Sequence, residues 1–110
     1  MRITYNKLVR DRIPEIIKAK GEHPVTRVLD EPAYQAALLD KLTEETDEVR
    51  KAVDPEEVAA ELGDVLEVLR AIAAAHNLGW DQVLVAAARK SATNGAFNDR
   101  LYLEHVEAPD

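Results

Sequence analysis

The segment from Lys41 to Leu69 constrains the fold more than any other stretch, because it predicts two helices joined by a tight turn. Asp54 is a favourable N-cap residue, and Pro55 follows at the first helical position, where a missing N–H costs no hydrogen bond. Each predicted helix carries two acids three residues apart, and residues with that spacing share one helix face. The acids are Glu45 and Glu48 on the first helix, and Glu61 and Asp64 on the second.

The two acid pairs are equally distant from the turn at Asp54 and Pro55, so an antiparallel hairpin would bring all four carboxylates to the same height. On a helical wheel with about 100° per residue, Glu45 and Glu61 fall inside apolar arcs. Glu48 and Asp64 lie at the edges of those arcs. The acids are therefore expected on the inner faces of the hairpin, away from its solvent side.

Buried carboxylates need protonation, a basic partner or a metal ion. No Lys or Arg of the segment falls clearly inside either arc, and Lys41 lies only near the edge. Acids at this spacing also form solvated faces in charged chains, and 32% of this chain is charged. Two level pairs with members in apolar arcs favour a metal site instead. Carboxylate oxygens predict a hard divalent cation, Mg²⁺, with Mn²⁺ as the alternative ion.

The length of 110 residues predicts a single domain, residues 1–110, of the all-α class. The chain has no cysteine, which excludes disulfides and thiolate metal sites. The first residues lack the apolar run of a signal peptide, and no segment approaches the roughly 20 apolar residues that span a bilayer. We therefore expect a cytoplasmic protein that does not associate with membranes.

The net charge of −7 comes from 14 basic and 21 acidic residues, and it disfavours duplex nucleic acid as a partner. The charge is unevenly distributed. Residues 1–20 hold six Lys or Arg and two acids, whereas residues 41–70 are strongly acidic. A basic segment beside an acidic, metal-binding one suits a polyphosphate substrate.

Capping residues and apolar periodicity predict four helices. Both long helices carry apolar arcs that a chain of this size cannot cover, which predicts a homo-oligomer. The predicted helices are Arg12–Lys20 capped by Asp11, a long helix from the cap Asp30 to about Val53, a second from Pro55 to about Asn77, and Gln82 to about Thr93 capped by Asp81.

Lys90, Asn94 and Arg100 form a second group of polar residues, at and after the last predicted helix. Two interpretations remain open for them. They can pair with and cap the C-terminal end of the helix, or they can contact phosphate. The chain has no Gly-rich phosphate loop and no plausible nucleophile–base pair.

The paired acids resemble the signature of the MazG-like, all-α nucleoside triphosphate pyrophosphohydrolases, which is E-E-x-x-E, a spacer and E-x-x-D. Here it reads Glu44-Glu45-Thr46-Asp47-Glu48 and Glu61-Leu62-Gly63-Asp64. The stretch from Tyr5 to Ile17, together with Lys90, Gly95, Phe97 and Arg100, is similar to a subgroup labelled phosphoribosyl-ATP pyrophosphohydrolase-like. That subgroup commonly has Arg-Gly-Gly-Phe where this chain has Asn94-Gly95-Ala96-Phe97.

The resemblance implies hydrolysis of a nucleotide between its α- and β-phosphates, giving a monophosphate and pyrophosphate, as in the house-cleaning of nucleotide pools. It implies a homodimer or homotetramer whose subunits complete each other's helical bundle and pocket. It also implies roles for individual residues: Mg²⁺ ligands Glu45, Glu48, Glu61 and Asp64; catalytic residues Glu44 and Glu45; and substrate-binding residues Lys7, Arg10, Lys90, Asn94 and Arg100.

Two other functions fit the same sequence. One is the phosphoribosyl-ATP pyrophosphohydrolase of histidine biosynthesis, which uses the same chemistry on a different substrate. The other is a non-catalytic helical module whose acids bind metal for stability or solvate an oligomer seam. A panel of nucleotide substrates separates the first from a house-cleaning enzyme, and the absence of pyrophosphate release with every nucleotide would identify the second.

Overall fold

The computed structural model describes all 110 residues, which form four helices and no strand, so the predicted all-α class is confirmed. None of the four helices combines the length and the apolar composition that crossing a bilayer requires. The helices are α1 (Ile13–Ala19), α2 (Glu31–Lys51), α3 (Pro55–Ala75) and α4 (Trp80–Asn94).

The two long helices begin at the predicted caps. The carboxylate of Asp30 accepts a hydrogen bond from the Ala33 N–H at 2.9 Å, and that of Asp54 accepts one from the Glu57 N–H, also at 2.9 Å. Glu57 in turn reaches back and accepts from the Val53 N–H at 3.1 Å. These bonds satisfy backbone donors that a helix N-terminus leaves free, and they fix the short turn between α2 and α3.

The helices α2 and α3 pack against each other as an antiparallel hairpin. Gln35, in the first turns of α2, donates to the Ala75 carbonyl at the end of α3 at 3.5 Å. Glu45, in the middle of α2, lies beside Glu61 of α3. Both pairings are nearly symmetric about the Asp54–Pro55 turn, so the register predicted for the hairpin is confirmed.

Only three residues are buried, all of them apolar: Leu38 on α2, and Val68 and Ala73 on α3. The last helix, α4, contacts α3 and no other helix. The Arg70 guanidinium lies 5.6 Å from the centroid of the Trp80 ring, which links α3 to the start of α4 by a cation–π contact. The core of the single chain is therefore a thin seam along one hairpin.

Two of the predicted caps are wrong. Asp11 does not cap α1, which starts at Ile13 without a side-chain cap. Asp81 does not cap α4, because the helix begins earlier and Asp81 lies within its first turn. Gln82 accepts a hydrogen bond from the Gly79 N–H at 2.7 Å, and this bond supports the earlier start.

The chain is far more extended than a compact domain of its length. Its radius of gyration is 18.9 Å, against about 13 Å expected for 110 residues. Its accessible surface is 10066 Å², against roughly 6,000 Å² expected for its mass. Large apolar side chains account for part of the excess. They include the α3 stripe, which we define as Leu62, Leu66 and Leu69, and the tail residues Phe97, Leu101, Tyr102, Leu103 and Val106.

Candidate metal and nucleotide site

Three of the four predicted metal ligands come together between α2 and α3. Glu45, Glu61 and Asp64 each offer a carboxylate oxygen, and these three oxygens lie within 4.8 Å of one another. All three residues are partly shielded from solvent. Glu61 and Asp64 are neighbours because they are three residues apart on α3, and the hairpin register brings Glu45 across to them. We call these three residues the carboxylate trio.

The donor chemistry of the carboxylate trio fits a hard divalent cation. Mg²⁺ prefers oxygen ligands at about 2.1 Å in an octahedron, which places ligand oxygens about 3 to 4 Å apart. The oxygens of the trio, within 4.8 Å of one another, therefore need only small side-chain adjustments to reach that spacing. Three carboxylates would leave other coordination positions for water or phosphate oxygen, as Mg²⁺ sites in phosphoryl-transfer proteins commonly do.

Glu48, the fourth predicted ligand, lies next to the trio but outside it. Its carboxylate is 3.7 Å from the Lys51 ammonium, in a pair exposed to solvent. Its negative charge is nevertheless close enough to help raise the pKa of Glu61. The charge of Glu48 therefore acts on the trio, although the carboxylate oxygens of Glu48 lie outside the cluster.

The expectation that the acids have no internal counter-ion is wrong for Glu45. The Lys41 ammonium lies 3.2 Å from Glu44 and 3.4 Å from Glu45, and the Lys41 side chain is only 15% exposed. A helical wheel places the Cβ atom, whereas a lysine head group sits several bonds further along the helix surface. The sequence signal that could have revealed the contact is the i, i+3 and i, i+4 spacing from Lys41 to these two acids.

Burial raises the pKa of Glu44, but hydrogen bonds and positive charge from Lys41 and Lys7 outweigh that effect and lower the pKa below its ordinary value. Glu61 is in the opposite situation. Desolvation raises its pKa, and the negative charges of Asp64, Glu48, Glu45 and Glu57 raise it further. No basic side chain pairs with Glu61, so negative charge is least compensated at this member of the trio.

The N-terminal segment before α1 places two predicted phosphate ligands on the acids of the hairpin. The Arg10 guanidinium donates to a carboxylate oxygen of Asp64 at 2.7 Å, and the Lys7 ammonium lies 3.4 Å from Glu44. Leu8 and Val9, between them, are half-buried. An open groove of about 290 Å³ runs beside these contacts. Its lining includes Leu8, Val9, Arg10, Tyr34, Lys41, Glu45, Asp64 and Glu67.

The remaining predicted substrate ligands are not brought to the trio. Lys90 and Asn94 are exposed on α4, Arg100 is exposed in the tail, and none of the three makes a side-chain hydrogen bond or ion pair. Asn94 and Arg100 line a separate open cavity of about 260 Å³, formed by the consecutive residues 94–101. Within one chain, neither the capping contact nor a shared phosphate site with Lys7 and Arg10 is present.

The MazG nucleotide pyrophosphohydrolase domain matches residues 34–93, which is more than half of the chain and contains all of the carboxylate trio. The chain belongs to the MazG nucleotide pyrophosphohydrolase family. Its resemblance to the MazG-like superfamily, expected from the acidic motifs, is thereby confirmed.

A relative from Mycolicibacterium smegmatis (strain ATCC 700084 / mc(2)155), described as an uncharacterized protein, is 53% identical to this chain over 57 residues. The matched region covers 52% of this chain and 57% of that protein. The chain therefore spans little more than half the length of this curated relative. No solved structure matches the chain.

The raised pKa of Glu61 predicts a pH-dependent cost to the metal-free fold. In the unfolded chain a glutamate titrates near pH 4.3. Because the pKa of Glu61 is higher in the folded state, the folded state binds more protons than the unfolded state does above about pH 4.3. The stability of the wild-type protein therefore falls as the pH rises above about 4.3. Glu61→Gln removes this loss. We expect the variant, in chelator, to equal or exceed wild-type stability at pH 7, with the difference shrinking toward pH 4.

Urea unfolding at fixed protomer concentration and several pH values measures this difference. Glu67→Gln, which replaces an exposed glutamate on the same helix, is the matched control and should lack the pH-dependent gain. A Glu61→Gln protein that is clearly less stable than wild type at pH 7 would contradict the assignment, because it would mean that a basic partner stabilises the Glu61 carboxylate.

Proposed function

We propose that this chain hydrolyses a nucleoside triphosphate, or a related nucleotide, between the α- and β-phosphates to release a monophosphate and pyrophosphate. The observation that carries the proposal is the carboxylate trio, whose three oxygens lie within 4.8 Å beside a groove with basic residues on its wall. The trio lies inside the segment that matches the nucleotide pyrophosphohydrolase family. Removal of non-canonical or damaged nucleotides is the cellular role that this chemistry best fits.

Glu45, Glu61 and Asp64 would hold Mg²⁺, with Glu48 able to join them if it leaves its exposed pair with Lys51. When bound, Mg²⁺ lowers the pKa of water and neutralises charge that develops on phosphate oxygens. Lys7 and Arg10 approach the same acids from the N-terminal segment. Their charges support binding of the outer phosphates of a substrate in the groove.

Glu44 is the proposed residue that orients the attacking water. Its lowered pKa keeps it ionised, so it can accept a hydrogen bond from a water molecule near neutral pH. Lys41 contacts Glu44 and Glu45 together and therefore links the proposed water-orienting group to a proposed metal ligand. Hydrolysis adds one water across the α–β anhydride bond: attack on the α-phosphorus would expel pyrophosphate with the bridging oxygen, and attack on the β-phosphorus would expel the monophosphate with it.

We propose further that the working form is a homo-oligomer. The surface excess of this chain, about 4,000 Å² over a compact monomer, exceeds the 1,200 to 2,000 Å² typical of a stable interface. The α3 stripe of Leu62, Leu66 and Leu69 is exposed to solvent. A second copy would cover it. Lys90, Asn94 and Arg100, which do not meet the trio of their own chain, could then serve the site of a neighbour.

The hydrolysis proposal predicts Mg²⁺-dependent pyrophosphate release from at least one nucleotide. The assay is a coupled pyrophosphate measurement over canonical, deoxy and damaged nucleoside triphosphates and phosphoribosyl-ATP, with Mg²⁺ or EDTA. Asp64→Asn should lower turnover by at least about 100-fold, the scale of losing a metal ligand or its support. Asp40→Asn, which removes the same charge from an exposed position on α2, should leave turnover unchanged.

The panel also discriminates between substrates. Turnover of phosphoribosyl-ATP alone would assign the histidine-pathway reaction, whereas turnover of modified triphosphates would assign house-cleaning. No pyrophosphate from any nucleotide, in protein that binds Mg²⁺ normally, would overturn hydrolysis and favour a metal-binding structural module.

The assembly proposal predicts a mass that is a multiple of 12.2 kDa at micromolar concentration. Leu66→Glu places a charge in the α3 stripe and should shift the protein toward monomer, as measured by light scattering. Ala60→Glu adds the same charge at another exposed position of α3 and should leave the mass unchanged. A wild-type protein that is monodisperse at the monomer mass would contradict the proposal.

A further inference from the structure

The cations around the carboxylate trio fall into two kinds that differ in solvent exposure. Lys41 is fixed on α2, and its side chain and that of its partner Glu45 are only 15% and 12% exposed. Arg10 belongs to the segment before α1, and its side chain and that of Asp64 are 56% and 42% exposed. Lys41 is therefore part of the helical hairpin, whereas Arg10 contacts the trio from outside it.

We propose that Arg10 is a displaceable counter-ion of the site: it neutralises Asp64 in the metal-free protein, and a divalent cation replaces it there. The inference rests on the proposed function, because it takes the trio as the metal site. It goes further because it gives the N-terminal segment two states, one with Arg10 paired to Asp64 and one with Arg10 released from it. Once displaced, the guanidinium remains beside the groove, where it is available to the phosphates of the substrate.

The charges set Arg10 and a divalent cation in competition for Asp64. The guanidinium stays protonated at every accessible pH, so it cannot yield its place to a metal ion by losing a proton. It already donates to an Asp64 oxygen at 2.7 Å, and a divalent cation at the trio would face this positive charge at close range. The guanidinium must therefore move away, or the metal must bind more weakly. Both alternatives make Arg10 and the metal competitors for Asp64.

The weakness of the Arg10–Asp64 pair makes the exchange easy. Exposed ion pairs contribute little to stability, because water and salt screen them and two flexible side chains must be ordered. The segment around Arg10 is outside the helices, and no backbone hydrogen bond joins residues 1–9 to the hairpin. The segment is attached to the hairpin by the Arg10 and Lys7 ion pairs and by the half-buried Leu8 and Val9.

The coupling is reciprocal, as any linkage between two binding events must be. If bound metal releases Arg10, then removing Arg10 must strengthen metal binding. The same removal must weaken the binding of polyphosphate to the metal-loaded protein, because a phosphate ligand is lost. A residue that merely positioned Asp64 would weaken metal binding when removed, so the two roles predict opposite signs.

The experiment is isothermal titration of Mg²⁺ into apo protein, followed by titration of inorganic tripolyphosphate in magnesium excess. We expect Arg10→Gln to bind Mg²⁺ about two- to fivefold more tightly than wild type, the scale of losing one exposed ion pair, and tripolyphosphate more weakly. Arg10→Lys keeps the charge and should stay near wild type. Arg12→Gln removes the same charge from an exposed pair with Glu15 and should change neither affinity.

Unchanged or weaker Mg²⁺ binding by Arg10→Gln would overturn the exchange, and so would an equal gain in Arg12→Gln, because a general change in net charge would then explain it. A parallel titration of Glu61→Gln separates this failure from failure of the metal site. If Glu61→Gln binds Mg²⁺ as well as wild type does, the trio is not the site, and both the metal assignment and the exchange fall together.

Discussion

Negative charge is crowded between the long helices α2 and α3, and the basic side chains around it partly compensate it. Three carboxylates have oxygens within 4.8 Å of one another in a partly shielded seam. Like charges at that distance oppose folding unless protons, basic groups or a metal ion compensate them. The surroundings respond in each of the first two ways: burial and neighbouring acids raise the pKa of Glu61, while Lys41 and Arg10 pair with the other two members.

The hairpin holds these charges together through a few local interactions. Asp54 and Glu57 fix the turn, and the capped turn sets the register that carries Glu45 to Glu61. The buried core beneath is small, and it consists of Leu38, Val68 and Ala73. So small a core is the physical reason why we propose that a second copy covers the apolar surface that the single chain leaves exposed.

Sequence patterns were sufficient for features that depend on helix periodicity and capping. The two long helices, their antiparallel register and the meeting of Glu45, Glu61 and Asp64 all follow from backbone geometry, which spacing along the chain encodes. The caps of α1 and α4 were not predictable in the same way. Several residues near each start can accept a hydrogen bond, and at α4 the side chain of Gln82 selects a start that precedes Asp81.

Contacts made by long side chains and by non-helical segments could not be predicted from the sequence. The contact of Lys41 with Glu44 and Glu45 depends on where a flexible head group comes to rest. The contact of Arg10 with Asp64 joins positions 54 residues apart through a segment without regular structure. Lys90, Asn94 and Arg100 make no contact with the trio, and helix periodicity alone does not encode where α4 and the tail lie relative to the hairpin acids.

Locating the bound ion would show whether the carboxylate trio is the metal site. Crystals of the wild-type protein grown with Mn²⁺ would reveal the ion by its anomalous scattering. We expect a strong anomalous peak within coordination distance of Glu45, Glu61 and Asp64, with the Arg10 guanidinium no longer in contact with Asp64. A peak at another group of residues, or none at the trio in protein that shows metal-dependent pyrophosphate release, would contradict the assignment of the trio as the metal site.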